Sequence, residues 1–309
     1  MLLRVGTRGS KLSLVQTDQF IQELRTRQPD VDVEKIIITT EGDKDRITPL
    51  YYLGQKGIFE REINQAVLDG QVDFAVHSLK DLPVFESNNG LVIAAMAERD
   101  SPLDVLVSRS NRTLQQLTAG SAVGTSSLLR VSQVRRLCPD LNPKPIRGNV
   151  ETRIRKVDLG EFDSVILAEA GLQRLGITNR IAERLRLEDF MPAPGQGIIA
   201  AVTRRNDSKI RSILSLVDHA PTRVEGETER ELARILEGGC KVPIGALASV
   251  HDNRIELRTS ILSIDGRERL ETRETGDVKE ALALARKAAE ELLHQGAKQI
   301  EEGWRTLYA

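Results

Sequence analysis

The stretch Leu236-Glu237-Gly238-Gly239-Cys240-Lys241-Val242-Pro243-Ile244-Gly245 separates two patterns of different character. An acidic helical pattern leads into it, and strand-like runs follow it. Gly238 and Gly239 permit positive φ and a close backbone approach, so they can hold the side chain of Cys240 at the apex of a loop. Lys241 beside this thiol favours the thiolate form. A plainer interpretation is a glycine helix cap followed by a turn, with a small apolar residue there by chance.

Upstream of this loop, cationic side chains accumulate between Ser121 and Gly160, where eight cations face three acids. Two turns of this segment place a guanidinium beside hydroxyl or glycine residues at the start of a helical pattern. They are Gly124-Thr125-Ser126-Ser127-Leu128-Leu129-Arg130 and Arg147-Gly148-Asn149-Val150-Glu151-Thr152-Arg153. Helix N-termini, hydroxyls and guanidinium forks together bind carboxylates or phosphates. Solvated helix faces explain the other cations of the segment, but these two turns predict a site for a small polyanion.

Strand and helix patterns alternate before this loop, which predicts mostly parallel sheets covered by helices. In the second half of that region the predicted strands are 104–108, 122–125, 144–147 and 164–168. Breakers at 98–102 and 191–197 predict two crossovers and a hinge, and the runs after 218 predict an antiparallel sheet. We therefore expect an α/β fold of two hinged lobes with a small α+β C-terminal domain. The expected boundaries are 1–98 with 197–217 for lobe 1, 102–192 for lobe 2, and 218–309 for the C-terminal domain.

Two turns of lobe 1 carry similar polar chemistry. Thr7-Arg8-Gly9-Ser10 joins a predicted strand to a helix, with Ser10 as its N-cap. A second strand runs into Ser78-Leu79-Lys80-Asp81-Leu82-Pro83, and ligands bind at the carboxyl ends of strands in open α/β sheets. Lys80 and Asp81 equally suit a simple turn before Pro83. The aperiodic polar segment 40–58 has the length of a functional or mobile loop.

Composition restricts the classes of function. Lys and Arg number 44 against 45 Asp and Glu, and aromatic residues make up 3%, which argues against binding to nucleic acid or membranes. Two cysteines in unlike contexts and four dispersed histidines predict neither a disulfide framework nor a metal site. The N-terminus has no signal-peptide core, and no apolar run could span a bilayer, so a cytoplasmic location is expected. Nothing in the sequence demands an oligomer, so we expect a monomer.

The turns described above belong to seven ordered motifs that span essentially the whole chain. The motifs are Thr7-Arg8-Gly9-Ser10, His77-Ser78-Leu79-Lys80-Asp81-Leu82-Pro83, Gly124-Thr125-Ser126-Ser127, Arg147-Gly148-Asn149, Gly171-Leu172-Gln173-Arg174, Gly195-Gln196-Gly197 and Leu236-Glu237-Gly238-Gly239-Cys240. Together they closely resemble the porphobilinogen deaminase (hydroxymethylbilane synthase) family. The resemblance implies lobes like those of type II periplasmic binding proteins, and a dipyrromethane cofactor joined by a thioether to Cys240. It also implies that four porphobilinogen molecules are condensed head to tail with loss of ammonia, and that hydrolysis then frees hydroxymethylbilane.

The same resemblance implies roles for individual residues. Asp81 is the implied catalytic residue, because a carboxylate can stabilise the positive charge of the deaminated pyrrole and move its protons. The implied cofactor-binding residues are Cys240, Lys80, Asp81, Thr125, Ser126, Ser127, Arg130, Arg147 and Gly148. The implied substrate-binding residues are Arg8, Ser10, Arg147, Arg153, Arg174 and Gln196. Lys56 and Phe59 are the implied residues of a lid formed by the segment 40–58.

The chain departs from the family's usual pattern in three places. Leu129 stands where the first of two adjacent arginines is usual, which puts the strength of cofactor or chain binding in question. Arg61 replaces a common lysine and keeps its charge, and Pro194 replaces a small or β-branched residue.

Two alternatives use the same residues differently. A non-catalytic two-lobe protein that binds small polycarboxylates would use the same cations but would not explain the Gly-Gly-Cys loop. A thiol-dependent hydrolase could pair Cys240 with His77 or His219, but no motif supports it, and His77 is more simply a hydrogen-bonding residue at a strand end.

Overall fold

The computed structural model describes residues 1–44, 60–83, 90–237 and 243–308. Its strands are β1 (Leu2–Thr7), β2 (Asp32–Ile37), β3 (Phe74–Ser78), β4 (Leu91–Met96), β5 (Asp104–Ser108), β6 (Ala122–Gly124), β7 (Asn142–Lys144), β8 (Ser164–Ala168), β9 (Glu183–Arg184), β10 (Ile199–Arg204), β11 (Ile244–His251), β12 (Arg254–Leu262) and β13 (Arg269–Asp277). Its α-helices are α1 (Lys11–Arg27), α2 (Glu41–Lys44), α3 (Arg61–Leu68), α4 (Leu128–Leu137), α5 (Val150–Asp158), α6 (Glu169–Arg174), α7 (Ser208–Leu214), α8 (Ala220–Glu237), α9 (Ala281–His294) and α10 (Ala297–Tyr308).

The chain forms two compact units. The first contains the described residues of Met1–Arg46, Gln55–Asp100 and Gly197–Arg223, and the second contains those of Ser101–Gln196 and Val224–Ala309. The predicted lobe 2 and the predicted C-terminal domain both lie in the second unit. The boundary between these two regions therefore stays a prediction.

The sheet of the first unit has the strand order β2-β1-β3-β10-β4. β1 pairs in parallel with β2 and β3, and β10 pairs antiparallel with β3 and β4. Apolar clusters cover both faces of the sheet: Phe20 of α1 packs in one, and Ile63 of α3 packs in the other. Because β1 and β3 run in the same direction, their carboxyl ends lie at the same edge of the sheet.

The larger sheet of the second unit has the order β7-β6-β8-β5-β9. β6 pairs in parallel with β7 and β8, and β5 pairs antiparallel with β8 and β9. The predicted strand at 144–147 is displaced, because β7 ends at Lys144. The Ile146 amide instead donates to Ser126 Oγ at 3.2 Å, so 145–149 turns into α5.

The C-terminal part of the second unit is the antiparallel sheet β11-β12-β13 with helices packed against it. Leu257 of β12 and Ala289 of α9 belong to one buried cluster. The sequence pattern did not predict α10, whose Trp304 is buried in the same cluster and donates from Nε1 to the Leu262 carbonyl at 2.8 Å. Two α/β sheets and a small α+β region confirm the predicted fold class. The expectation of mostly parallel sheets is wrong, because each α/β sheet is mixed, with two parallel and two antiparallel pairings.

Candidate functional site

In the first unit, the turn between β1 and α1 holds Arg8 and Ser10. Ser10 is the N-cap of α1, because its Oγ accepts a hydrogen bond from the Ser13 amide at 3.3 Å. This confirms the predicted cap. Thr17 Oγ1 donates to Thr7 Oγ1 at 2.8 Å, which fixes the end of β1 to α1. Arg8, next along the chain, is half-buried.

A single 3-10 turn, Leu79–Asp81, follows β3. The Leu79 side chain is buried, and its amide donates to the Ile198 carbonyl at 2.9 Å. These contacts hold the turn against β10. Lys80 is half-buried on this turn and Asp81 is exposed.

The two turns border a cavity of about 30 Å³ at the carboxyl ends of β1 and β3. Ligands bind at this edge in open α/β sheets. The structure thus brings Arg8 and Asp81 to one cavity, and the binding and catalytic roles implied for them stay predictions. The polar side chains that line it are Arg8, Ser13, Gln16, Glu60, His77, Ser78 and Asp81.

Gln16, Glu60 and His77 were not among the residues that the resemblance implied for the cofactor or substrate site. Gln16 Nε2 donates to Ser78 Oγ at 2.8 Å, and Glu60 precedes α3 and is 3% exposed. A signal existed for Gln16, since a buried amide on the apolar face of a helix needs a polar partner.

His77 is a buried, uncharged imidazole in this site. Burial, and then the positive charge of Arg8, lower the pKa of His77 from 6.5 to about 3. Its Nε2 has no hydrogen-bond partner within the described ranges of the chain, so no described protein group supplies the expected strand-end hydrogen bond to that atom. Leaving such an atom unsatisfied costs about 1–3 kcal/mol.

In the second unit, Thr125, Ser126 and Ser127 follow β6. Ser127 is the N-cap of α4, with its Oγ accepting from the Arg130 amide at 3.4 Å. Ser126 Oγ donates to the Ile146 carbonyl at 2.6 Å, and Thr125 Oγ1 accepts from the Ser127 amide at 3.2 Å. These bonds tie the start of α4 to the turn after β7.

That turn carries Arg147, Gly148 and Asn149. Asn149 is the N-cap of α5, and Arg153 Nε donates to the Gly148 carbonyl at 2.8 Å. Gly148 has φ +115°, and a Cβ there would lie 2.6 Å from Thr152 Cγ2, so a side chain at this position is excluded. Because β6 and β7 are parallel neighbours, the N-termini of α4 and α5 lie at one edge of their sheet. Arg147 and Arg153 are half-buried there.

Arg130 is engaged within the second unit. Its Nη2 and Nε donate to the two carboxylate oxygens of Asp104, at 2.6 and 3.0 Å. Nη1 donates to the Ile166 carbonyl at 3.1 Å, and Nη2 also donates to Gln196 Oε1 at 3.3 Å. Four of its five N–H donors are therefore used. Its implied contact with a cofactor stays a prediction.

Three further positions of the second unit, Gln196, Arg174 and Leu129, are buried or half-buried. Gln196 is fully buried and donates from Nε2 to Asp104 Oδ1 at 2.8 Å, so its implied contact with substrate also stays a prediction. Arg174 ends α6 and is half-buried. Leu129 is 5% exposed, and this burial accounts for an apolar residue at that position. Cys240, Lys56 and Phe59 lie outside the described residues.

Two other kinds of feature are absent from the described ranges. No three or more His, Cys, Asp or Glu side chains there are grouped to hold a metal ion. No helix in those ranges combines the length and the apolar character needed to cross a membrane.

Comparisons with known proteins cover nearly the whole chain. Residues 3–212 match the family model described as the porphobilinogen deaminase dipyrromethane cofactor-binding domain, and residues 224–294 match the model of the porphobilinogen deaminase C-terminal domain. The chain is 44% identical over 301 residues to the probable porphobilinogen deaminase of Nitrosopumilus maritimus, covering 97% of this chain and 96% of that relative. It is 45% identical over 296 residues to the porphobilinogen deaminase of Desulforudis audaxviator, covering 96% of each chain.

Among solved structures, the methionine-binding protein MetQ is similar to 70% of this chain, over 89% of its own length, at 11% identity and a TM-score of 0.45. The family assignment rests on the sequence matches, which extend through both the cofactor-binding and the C-terminal regions. The chain belongs to the porphobilinogen deaminase family.

Proposed function

We propose that the chain condenses four molecules of porphobilinogen into hydroxymethylbilane, releasing ammonia at each condensation, as a step of tetrapyrrole biosynthesis. The observation that carries the proposal is the position of Asp81 beside Arg8 at one ligand-binding sheet edge of a chain of this family. A non-catalytic protein that binds polycarboxylates would use the same cations but would give no role to the Asp81 carboxylate.

The chemistry of the donor groups fits a dipyrromethane cofactor. Its acetate and propionate groups need fixed cations and N–H donors, and the N-termini of α4 and α5 with Arg147 and Arg153 are groups of that kind. Gly148 has φ +115°, a backbone conformation that glycine adopts readily, and so lets the chain turn into α5 beside these cations. We assign the attachment to Cys240. Bound there, the group would supply a reacting pyrrole carbon at high effective concentration.

We assign the charge-stabilising role to Asp81. When ammonia leaves porphobilinogen, positive charge develops on the substrate and is shared with the pyrrole N–H. A carboxylate facing that N–H stabilises the charge, and it can also accept and return a proton. The exposed position of Asp81 on a turn held by Leu79 supports this role.

The remaining cations and hydroxyls would bind the carboxylates of the substrate and the growing product. Guanidinium groups suit this task, because each can grip a carboxylate through two parallel hydrogen bonds. We assign this binding role to Arg8, Ser10, Lys80, Ser126, Ser127, Arg147, Arg153 and Arg174.

We further propose that the enzyme works as a monomer in the cytoplasm. A net charge of −1 gives it no general attraction to membranes or nucleic acid. Two cysteines in unlike contexts, for which the sequence predicts no disulfide framework, suit a reducing compartment.

The test is incubation of the purified protein with porphobilinogen, followed by measurement of released ammonia and of tetrapyrrole product. We expect four ammonia molecules for each tetrapyrrole. Asp81→Asn should lower kcat by about 100-fold or more, the usual effect of removing one preorganised electrostatic contact. Asp30→Asn is the matched control, because Asp30 is an exposed acid of the same unit outside the site. Binding of porphobilinogen without ammonia release would support the non-catalytic alternative instead.

A further inference from the structure

In the described part of the chain, no hydrogen bond fixes the orientation of the Asp81 carboxylate. It is exposed at the end of a three-residue turn, and no hydrogen bond from those described residues reaches its oxygens. A carboxylate that stabilises charge on a bound substrate must nevertheless be held within a narrow range of positions. The role proposed for Asp81 therefore requires a further contact that fixes the orientation of its side chain.

His77 presents the opposite problem, a polar atom that is held firmly but is unsatisfied. It lies on β3, four residues before Asp81, and its Nε2 is buried without a hydrogen-bond partner among the described residues. Buried polar atoms of this kind are normally satisfied by protein or by an ordered water. The imidazole is uncharged near neutral pH, because burial and Arg8 both disfavour its protonated form.

Both groups line the same cavity of about 30 Å³. That volume is enough for one water molecule, which needs a polar site and two to four partners. Arg8 and Ser13 line the cavity as well and can donate to a water oxygen. Glu60 is the other charged side chain of the lining.

We propose that one water molecule occupies this cavity and donates one hydrogen to His77 Nε2 and the other to the Asp81 carboxylate, so that His77 positions Asp81. The inference rests on the function proposed above for Asp81. It requires the tautomer of His77 that carries its proton on Nδ1, because only a bare Nε2 accepts a hydrogen bond.

High-resolution crystal structures of the wild-type protein and of His77→Phe test the site directly. We expect an ordered water within hydrogen-bonding distance of Nε2 and Asp81 in the wild type. In His77→Phe that water should be displaced or disordered, and Asp81 should adopt more than one rotamer. A wild-type cavity without water, or an Asp81 side chain equally ordered in the variant, overturns the proposal. This arm stands even if the protein has no deaminase activity.

Steady-state kinetics show whether His77 positions Asp81 or whether its replacement only damages the fold. His77→Phe should lower kcat about tenfold, while KM changes less than about twofold, because the carboxylate-binding cations are untouched. His77→Gln places an amide near the position of Nε2 and should recover most of the loss. His219→Phe is the control: it removes an imidazole that bonds Thr222 in the same unit and is not part of the cavity lining. Equal kcat in wild type and His77→Phe, or equal losses in the Phe and Gln variants, would refute the role of His77.

Discussion

The imidazole of His77 makes the stability of the first unit depend on pH. Its pKa in the fold is about 3, against an ordinary 6.5. Between these values the unfolded chain binds a proton that the folded chain does not. The stabilising contribution of the neutral ring is therefore complete above pH 6.5 and is lost as the pH falls from 6.5 towards 3, by up to about 1.4 kcal/mol for each pH unit.

Replacing His77 by Phe should remove this dependence. We expect the free energy of unfolding of the wild type to fall by about 1 kcal/mol more than that of His77→Phe between pH 7 and pH 5.5. Urea unfolding followed by circular dichroism at several pH values measures the difference. His251→Gln, which removes an exposed imidazole, should follow the wild type. Parallel curves for wild type and His77→Phe would show that the ring is not held neutral by the fold.

At the scale of elements, α4 joins the turn to which we assign ligand binding to the C-terminal sheet within the second unit. Its first turn carries Ser127 and Arg130, and Arg135 near its end donates from Nη1 to the Ile264 carbonyl at 2.9 Å. Gly266, in the loop between β12 and β13, packs so closely on α4 that a Cβ there would lie 2.6 Å from the Ser132 carbonyl oxygen. The helix is therefore fixed at both ends, which would keep its N-terminus preorganised for the anion that we propose it binds.

The ion pair of Arg130 with Asp104 is the main polar contact of this helix with the sheet beside it. The Asp104 side chain is 1% exposed and the Arg130 side chain 11%. Arg130→Met should lower the free energy of unfolding by about 3–5 kcal/mol, because it leaves a buried carboxylate without its counter-charge. Denaturant unfolding of the variant measures the loss.

Two control variants show whether the loss of stability in Arg130→Met comes from the charge left buried or from the removal of an arginine as such. Arg234→Met breaks an exposed pair with Glu231, in which the Arg234 side chain is 54% exposed, and should cost less than about 1 kcal/mol. The double variant Arg130→Met with Asp104→Leu should be more stable than Arg130→Met alone, since no charge is left buried. A loss of less than about 1 kcal/mol in Arg130→Met would show that the pair does not support α4.

Across the whole molecule, local patterns in the sequence predicted the architecture but not the long-range pairs. Alternation of strands and helices indicated both α/β sheets, and turn chemistry indicated the cap at Ser10 and the start of a helix after Ser127, because these features depend on neighbouring residues. The contact of Arg130 with Asp104 joins residues 26 positions apart, and that of Gln196 with Asp104 joins residues 92 apart. Composition and spacing do not predict such pairs. The sequence therefore indicated only ligand binding for Arg130 and Gln196.

The residues of the candidate site also differ in whether the sequence could predict them. Strand-end motifs indicated Arg8 and Asp81, since polar residues at the carboxyl end of a strand have a known place in the sheet. Glu60 and His77 join them only because α3 and β3 pack together, through Ile63 and Ala75 in one buried cluster. A sequence pattern predicts where a side chain lies on its own strand. It does not predict which residues of other elements line the cavity around that side chain.

The two cysteines allow a test at the scale of the whole chain. Cys138 is half-buried in the second unit, and burial, followed by Glu183 and Asp140, raises the pKa of its thiol. A thiol of that kind stays protonated at neutral pH and is a weak nucleophile. Cys240 follows two glycines and precedes a lysine in the sequence, a context that favours the thiolate. We therefore expect the dipyrromethane to be attached to Cys240 alone.

Intact mass spectrometry of the purified wild-type protein, Cys240→Ser and Cys138→Ser measures this directly. The wild type should exceed its polypeptide mass by that of two condensed porphobilinogen units, and Cys138→Ser should carry the same addition. Cys240→Ser should have the bare polypeptide mass even after incubation with porphobilinogen, because a serine hydroxyl is a far weaker nucleophile than a thiolate. If the added mass disappears in Cys138→Ser and persists in Cys240→Ser, the attachment site is wrong. If all three proteins remain bare after incubation, this chain does not assemble the cofactor, and the non-catalytic alternative explains its cations better.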